Sequence, residues 1–143
     1  MLVADDDFFN LDVMKSFARQ LEMEFLPARN GEEAVEIVKN NLADIHTVFL
    51  YCEMPIMNGF EACVVIREIM KKTNVSCPTY LVSEIERKGS VMAGFDGQIE
   101  KPFTFEMLKN IFSIIMQDED ICVPMGCYTF LSFFLLNYYV IEK

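Results

Sequence analysis

A doubly wound α/β sandwich with a parallel sheet is the fold class this chain predicts. Three observations carry that reading. Short apolar runs alternate with stretches of helical spacing along residues 1–117. The central run, Thr47-Val48-Phe49-Leu50, is continuously apolar, as a strand covered on both faces must be. Polar residues with chemistry fall at the ends of the runs: Asp5 and Asp6 after the first, Tyr51 ending the third, Ser83 after the fourth and Lys101 after the fifth. In open α/β sheets, sites lie beyond the carboxyl ends of the strands, where the strand order reverses.

The elements follow in order. Leu2-Val3-Ala4 reads as the first strand and runs directly into Asp5-Asp6-Asp7. A first strand would normally begin a residue or two earlier, so the start reads as cut close, as in a fragment or an abbreviated gene model. Leu11, Met14, Phe17, Ala18 and Leu21 recur at helical spacing, with Asp12, Lys15 and Arg19 opposite. Phe25-Leu26-Pro27-Ala28 is a short second strand, and Pro27 places it near an edge. Asn30-Gly31 turns into a second helix, Glu32 to Asn41, with Ala34, Val35, Ile37 and Val38 inward.

The third strand is Thr47 to Tyr51, and the third helix Phe60 to Lys72. Cys77 to Val82 is the fourth strand, ending at Ser83. Arg87 to Ala93, with Gly89 inside it, is a weak fourth helix. Gln98-Ile99-Glu100 is the fifth strand, followed by Lys101-Pro102. Thr104 caps a fifth helix, Phe105 to about Gln117.

Composition bounds the function. A length of 143 residues suits one domain, and 52% hydrophobic residues can fill its core. A net charge of -10 argues against nucleic acid as a direct partner. The five cysteines form no C-x-x-C pair, and His46 is the only histidine, so no zinc framework is expected. No secretory leader is evident, which implies reduced cysteines in a cytoplasmic domain, with Cys63 and Cys77 as core filler. His46, before the third strand, reads as structural or exposed.

Past Asp120 the composition changes. The segment 121–141 has no charge and is long enough to cross a bilayer, with Tyr138-Tyr139 and Glu142-Lys143 as an interfacial end. Pro124, Gly126, Ser132 and Asn137 weaken it as a helix. The expected division is a domain at 1–117 and an acidic linker with an apolar tail at 118–143. Cytoplasmic location is expected, with membrane tethering through 121–141 as the alternative if the tail inserts.

The loop after the third strand is Met54-Pro55-Ile56-Met57-Asn58-Gly59. With the acids after strand one, the hydroxyl after strand four and Lys101-Pro102, it resembles the receiver domain of response regulators and hybrid histidine kinases. The resemblance covers about residues 1–117. It implies the flavodoxin-like strand order 2-1-3-4-5, which alternation alone would not fix. Singly, the acids could be a helix-leading cluster, Ser83 is uninformative and Lys101 is a surface lysine. Their joint positions set them apart.

The resemblance also implies roles. Asp5 and Asp6, with the Glu53 backbone carbonyl, would hold a divalent cation, usually Mg²⁺, that neutralises charge during phosphoryl transfer. Ser83 and Lys101 would each meet a phosphoryl oxygen, and Lys101-Pro102 is expected in cis. Two positions depart from the pattern. The phosphate-accepting Asp, four residues before Pro55, is Tyr51, whose phenol has a pKa of about 10 and is a poor nucleophile and cation ligand at neutral pH. Its oxygen could hydrogen-bond a carboxylate or the lysine ammonium. The switch aromatic three residues before Lys101 is Gln98.

The expected function is therefore a pseudo-receiver of phosphorelay signalling, not an enzyme, acting by protein–protein contact without aspartate phosphorylation. Cation binding should be weak or lost. A histidine kinase or other signalling protein is the expected partner, through the face of the fourth helix, fifth strand and fifth helix. The alternative is a working receiver that takes phosphate from a histidine donor on Asp5, Asp6 or Asp7.

Overall fold

The computed structural model describes residues 1–85 and 94–117. Five parallel strands form one sheet: β1 (Leu2–Ala4), β2 (Leu26–Ala28), β3 (Val48–Tyr51), β4 (Thr79–Ser83) and β5 (Gly97–Glu100). Their order is β2-β1-β3-β4-β5, as expected, with the Pro27 strand at an edge. The helices are α1 (Phe8–Gln20), α2 (Gly31–Asn41), α3 (Gly59–Thr73) and α4 (Phe105–Gln117), with a 3₁₀ turn at Leu42–Asp44. The expected helix at 87–93 and the segment 118–143 lie outside the described residues. Thus α4 is the fifth helix of the sequence reading. Among the described residues, no helix is long and apolar enough to cross a membrane.

Two cores sandwich the sheet because successive strand side chains point to opposite faces. Leu2, Ala4, Val48, Leu50 and Leu81 face α2 and α3, where Val38, Ala62, Cys63 and Ile66 are buried. Val3, Phe49, Val82 and Ile99 face α1 and α4, against Met14, Ala18, Leu108 and Phe112. Phe49 is fully buried and lies 5.6 Å, centre to centre, from both Tyr80 and Phe103. Cys63 and Cys77 are buried free thiols, as expected, and burial pushes them up to about 11 and about 12.

Each helix starts on a cap that the sequence supplies. Asp7 accepts the Phe9 N–H at 2.9 Å, so α1 begins at Phe8, a turn before the first inward leucine. Asn30 caps α2 through the Glu33 N–H, and Asn58 with Glu61 forms a capping box on α3. Thr104 accepts the Met107 N–H at 3.2 Å.

Two glycines let the loop after β3 close onto the domain. A Cβ on Gly59 would lie 2.3 Å from the Tyr51 carbonyl oxygen, so only glycine lets α3 start this close to the strand end. The Gly31 N–H donates to the Met57 carbonyl at 2.8 Å, and a Cβ there would meet the same oxygen at 2.6 Å. At the opposite end of the sheet, Arg67 of α3 donates to Asp96 at 2.5 Å and to the Gly94 carbonyl at 2.7 Å.

Candidate functional site

Strand register brings the expected residues together. Ala4 pairs with Leu50, Tyr51 with Val82, and Ser83 with Glu100. Asp5, Tyr51, Ser83 and Lys101 therefore leave the sheet side by side at its carboxyl edge. β1 and β3 are neighbours although β2 lies between them in sequence, which makes this edge the switch point of the order.

The three acids part company in space. Asp5 is buried, at 4% exposure, and its carboxylate is fully engaged. It accepts from the Lys101 ammonium at 2.9 Å, the Asp7 N–H at 2.9 Å and the Asn10 amide at 3.1 and 3.2 Å. Asp6 is exposed and takes no part in these contacts. Asp7 is occupied as the cap of α1. Glu53 sits exposed in the loop after β3.

Lys101 is placed by its own N–H, which donates to the Ser83 carbonyl at 2.8 Å, and the Lys101–Pro102 peptide is cis, as the resemblance implied. Its ammonium lies 3.5 Å from the centre of the Tyr51 ring while bonded to Asp5. The lysine is thus held between a carboxylate and an aromatic face, a cation–π arrangement. The Tyr51 hydroxyl donates to Glu84 at 3.2 Å. Burial, then the hydrogen bond and charge of Glu84, push the phenol up to about 12, so it stays protonated.

Ser83 is fully buried and donates to the Ile85 carbonyl at 2.5 Å. Gln98 reaches across from β5, its amide donating to the Ser83 hydroxyl at 3.0 Å and to the Ile85 carbonyl at 2.9 Å. Asn10, Glu84 and the reach of Gln98 escaped the sequence reading. Glu84 could have been noticed as an acid at a strand's carboxyl end; nothing in the sequence marks Asn10.

As arranged, this donor set offers a hard divalent cation little. Such an ion needs several oxygens together. Here the one buried carboxylate is bound to a lysine, and among the described residues no cluster of three His, Cys, Asp or Glu side chains could hold a metal.

Residues 1–113 match the family described as the response regulator receiver domain. The chain belongs to that family. It is a receiver-type domain of two-component phosphorelay signalling, a class of generally non-catalytic modules. It is 32% identical over 111 residues to the autoinducer 1 sensor kinase/phosphatase LuxN of Vibrio campbellii. That match covers 78% of this chain and 13% of LuxN, so the chain spans a small part of that relative's length.

Solved receivers superpose well. The receiver of the histidine kinase CKI1 from Arabidopsis thaliana, complexed with Mg²⁺ and BeF₃⁻, matches with a TM-score of 0.73 at 25% identity, covering 82% of this chain and 89% of that one. The Saccharomyces cerevisiae Ssk1 receiver, crystallised with the histidine phosphotransfer protein Ypd1, matches in fold with a TM-score of 0.74 at 22% identity, over 83% and 91% of the two chains.

Proposed function

We propose that this chain is a pseudo-receiver: a signalling module that binds a partner without aspartyl phosphorylation. The observation that carries the reading is the residue at the end of β3. An acyl phosphate requires a carboxylate there, and the Tyr51 phenol is pushed up to about 12 and lies under the Lys101 ammonium. Lys101 and Ser83, the groups a receiver would turn toward phosphate, are bonded within the protein. The cation set proposed from the family pattern, Asp5, Asp6 and the Glu53 carbonyl, is weakened because Lys101 already neutralises Asp5.

The partner class is a histidine kinase or phosphotransfer protein, or another signalling protein that reads the receiver surface. Exposed apolar residues support a protein partner: Ile114 on α4, part of the expected face, Phe8 and Phe9 in the first turn of α1, and Ile56 in the loop after β3. The domain boundary at 117, the separate role of 118–143 and cytoplasmic location belong to the same proposal. Truncation after Asp120 should leave a folded domain, read by thermal melting.

One observation keeps a second reading alive. Asp6 is exposed, whereas Asp5 is buried and Asp7 is taken up as the cap of α1, so Asp6 is the acid of the three left for a histidine phosphodonor. Addition of Mg²⁺ and beryllofluoride to the full chain, followed by ¹H–¹⁵N NMR, tests the two. The pseudo-receiver leaves the signals of Ser83, Lys101 and Asp6 unmoved. Saturable shifts that Asp6→Asn abolishes would establish the working receiver instead.

A further inference from the structure

We propose that Gln98 is a positioning residue that, together with Tyr51, latches the turn after β4 in one closed arrangement. This goes beyond the loss of the acceptor, although it rests on reading the site as that of a receiver. A serine hydroxyl has a single proton to donate. That of Ser83 goes to the Ile85 carbonyl, and its oxygen accepts from Gln98. A primary amide has two N–H protons. Those of Gln98 meet two acceptors on the same turn, the Ser83 hydroxyl and the Ile85 carbonyl.

The turn is held from its other side as well. β4 lies between β3 and β5. From β3, Tyr51 takes hold of Glu84 through its hydroxyl. From β5, Gln98 takes hold of the residues on either side of Glu84. Both flanking strands thus bond the segment Ser83-Glu84-Ile85. The two departures from the family pattern, at 51 and 98, converge on one turn. An apolar residue at 98 could not supply either bond, and an aspartate at 51 would repel Glu84 rather than donate to it. In this arrangement the Ser83 proton is not available to an anion that enters the site.

The latch is tested on the full chain by NMR, with no phosphodonor present. The Gln98 side-chain amide should exchange with solvent at least about tenfold more slowly than that of exposed Gln20, whose lone bond to the Ser16 carbonyl is 3.4 Å long. Relaxation dispersion should be flat at Ser83, Glu84 and Ile85. Gln98→Leu, which keeps the bulk and removes both donors, should introduce microsecond-to-millisecond exchange at those three residues and leave β1 and β2 quiet. Gln98→Asn, one methylene too short, should do the same and serves if the leucine variant does not fold. A Gln98 amide that exchanges as fast as that of Gln20, or a turn that stays quiet in both variants, overturns the latch. Phosphate labelling of the unmodified chain would defeat the pseudo-receiver reading and leave these measurements intact.

Discussion

The Lys101 ammonium rests 3.5 Å from the centre of the Tyr51 ring while it is bonded at 2.9 Å to Asp5. The aromatic ring takes the place of a second carboxylate, and the lysine becomes the internal counter-ion of the first. A positive charge is therefore already present where a receiver would bind its cation.

That pairing predicts a stability and metal signature. The Asp5 side chain is 5% exposed and that of Lys101 18%. Removing the ammonium by Lys101→Met strands a buried carboxylate and should cost about 3 kcal/mol in urea unfolding. Millimolar Mg²⁺ should recover part of that loss in the variant and leave the melting temperature of the unmodified chain unchanged. Tight Mg²⁺ binding by the unmodified chain, abolished by Asp6→Asn, would count against this picture.

Ile56 sits in the loop after β3 with φ +69°, and the Met57 N–H donates to the Pro55 carbonyl at 2.8 Å across it. A turn closed over two residues at positive φ is strained, and more so for a β-branched side chain. Ile56 is 76% exposed, so its side chain offsets little of that strain by packing. Relief of about 1–2 kcal/mol outweighs the extra chain entropy of glycine, about 0.5–1 kcal/mol. Ile56→Gly should raise the unfolding free energy by about 0.5–1 kcal/mol; a fall of that size would show that the loop is not strained.

His46 is half-buried, and its Nε2 has no hydrogen-bond partner among the described residues. Burial first, then the positive N-terminus, lowers its pKa below 6.5, against a smaller opposing pull from Asp44. The unfolded chain then binds a proton more readily than the folded one. Stability should be level above about pH 6.5 and fall as the pH drops through that value toward the lowered one. Urea midpoints at about pH 7.5 and about pH 5.5 should differ, and His46→Gln should shrink the difference. An unchanged difference in that variant would assign the slope to other groups.

Much of this fold is written in residue types. The apolar runs placed all five strands, and Pro27 placed β2 at an edge, because a central strand cannot spare its N–H. The strand order came from the loop Met54–Gly59 and the residues around it, not from periodicity. Ends were less legible: Asp7 draws the start of α1 forward to Phe8, and β4 begins at Thr79, after Pro78.

The site was legible as positions and illegible as contacts. Tyr51 and Gln98 stood out as departures, yet sequence left open whether the phenol would meet a carboxylate or the lysine. In the structure the hydroxyl takes Glu84 and the ring takes Lys101. Such choices depend on side-chain reach across three strands, which no local pattern encodes. Asn10 joins Asp5 only because α1 folds back over β1.

The most direct measurement is intact-mass analysis of the full chain incubated with acetyl phosphate and Mg²⁺, and separately with a phosphorylated histidine donor. No phosphoryl group should be added to the unmodified chain. Tyr51→Asp restores a carboxylate beside Asp5 and Lys101 and should take up one phosphoryl group, stable in acid and labile in base as acyl phosphates are. Ready labelling of the unmodified chain at Asp5, Asp6 or Asp7 would contradict the account and establish a working receiver.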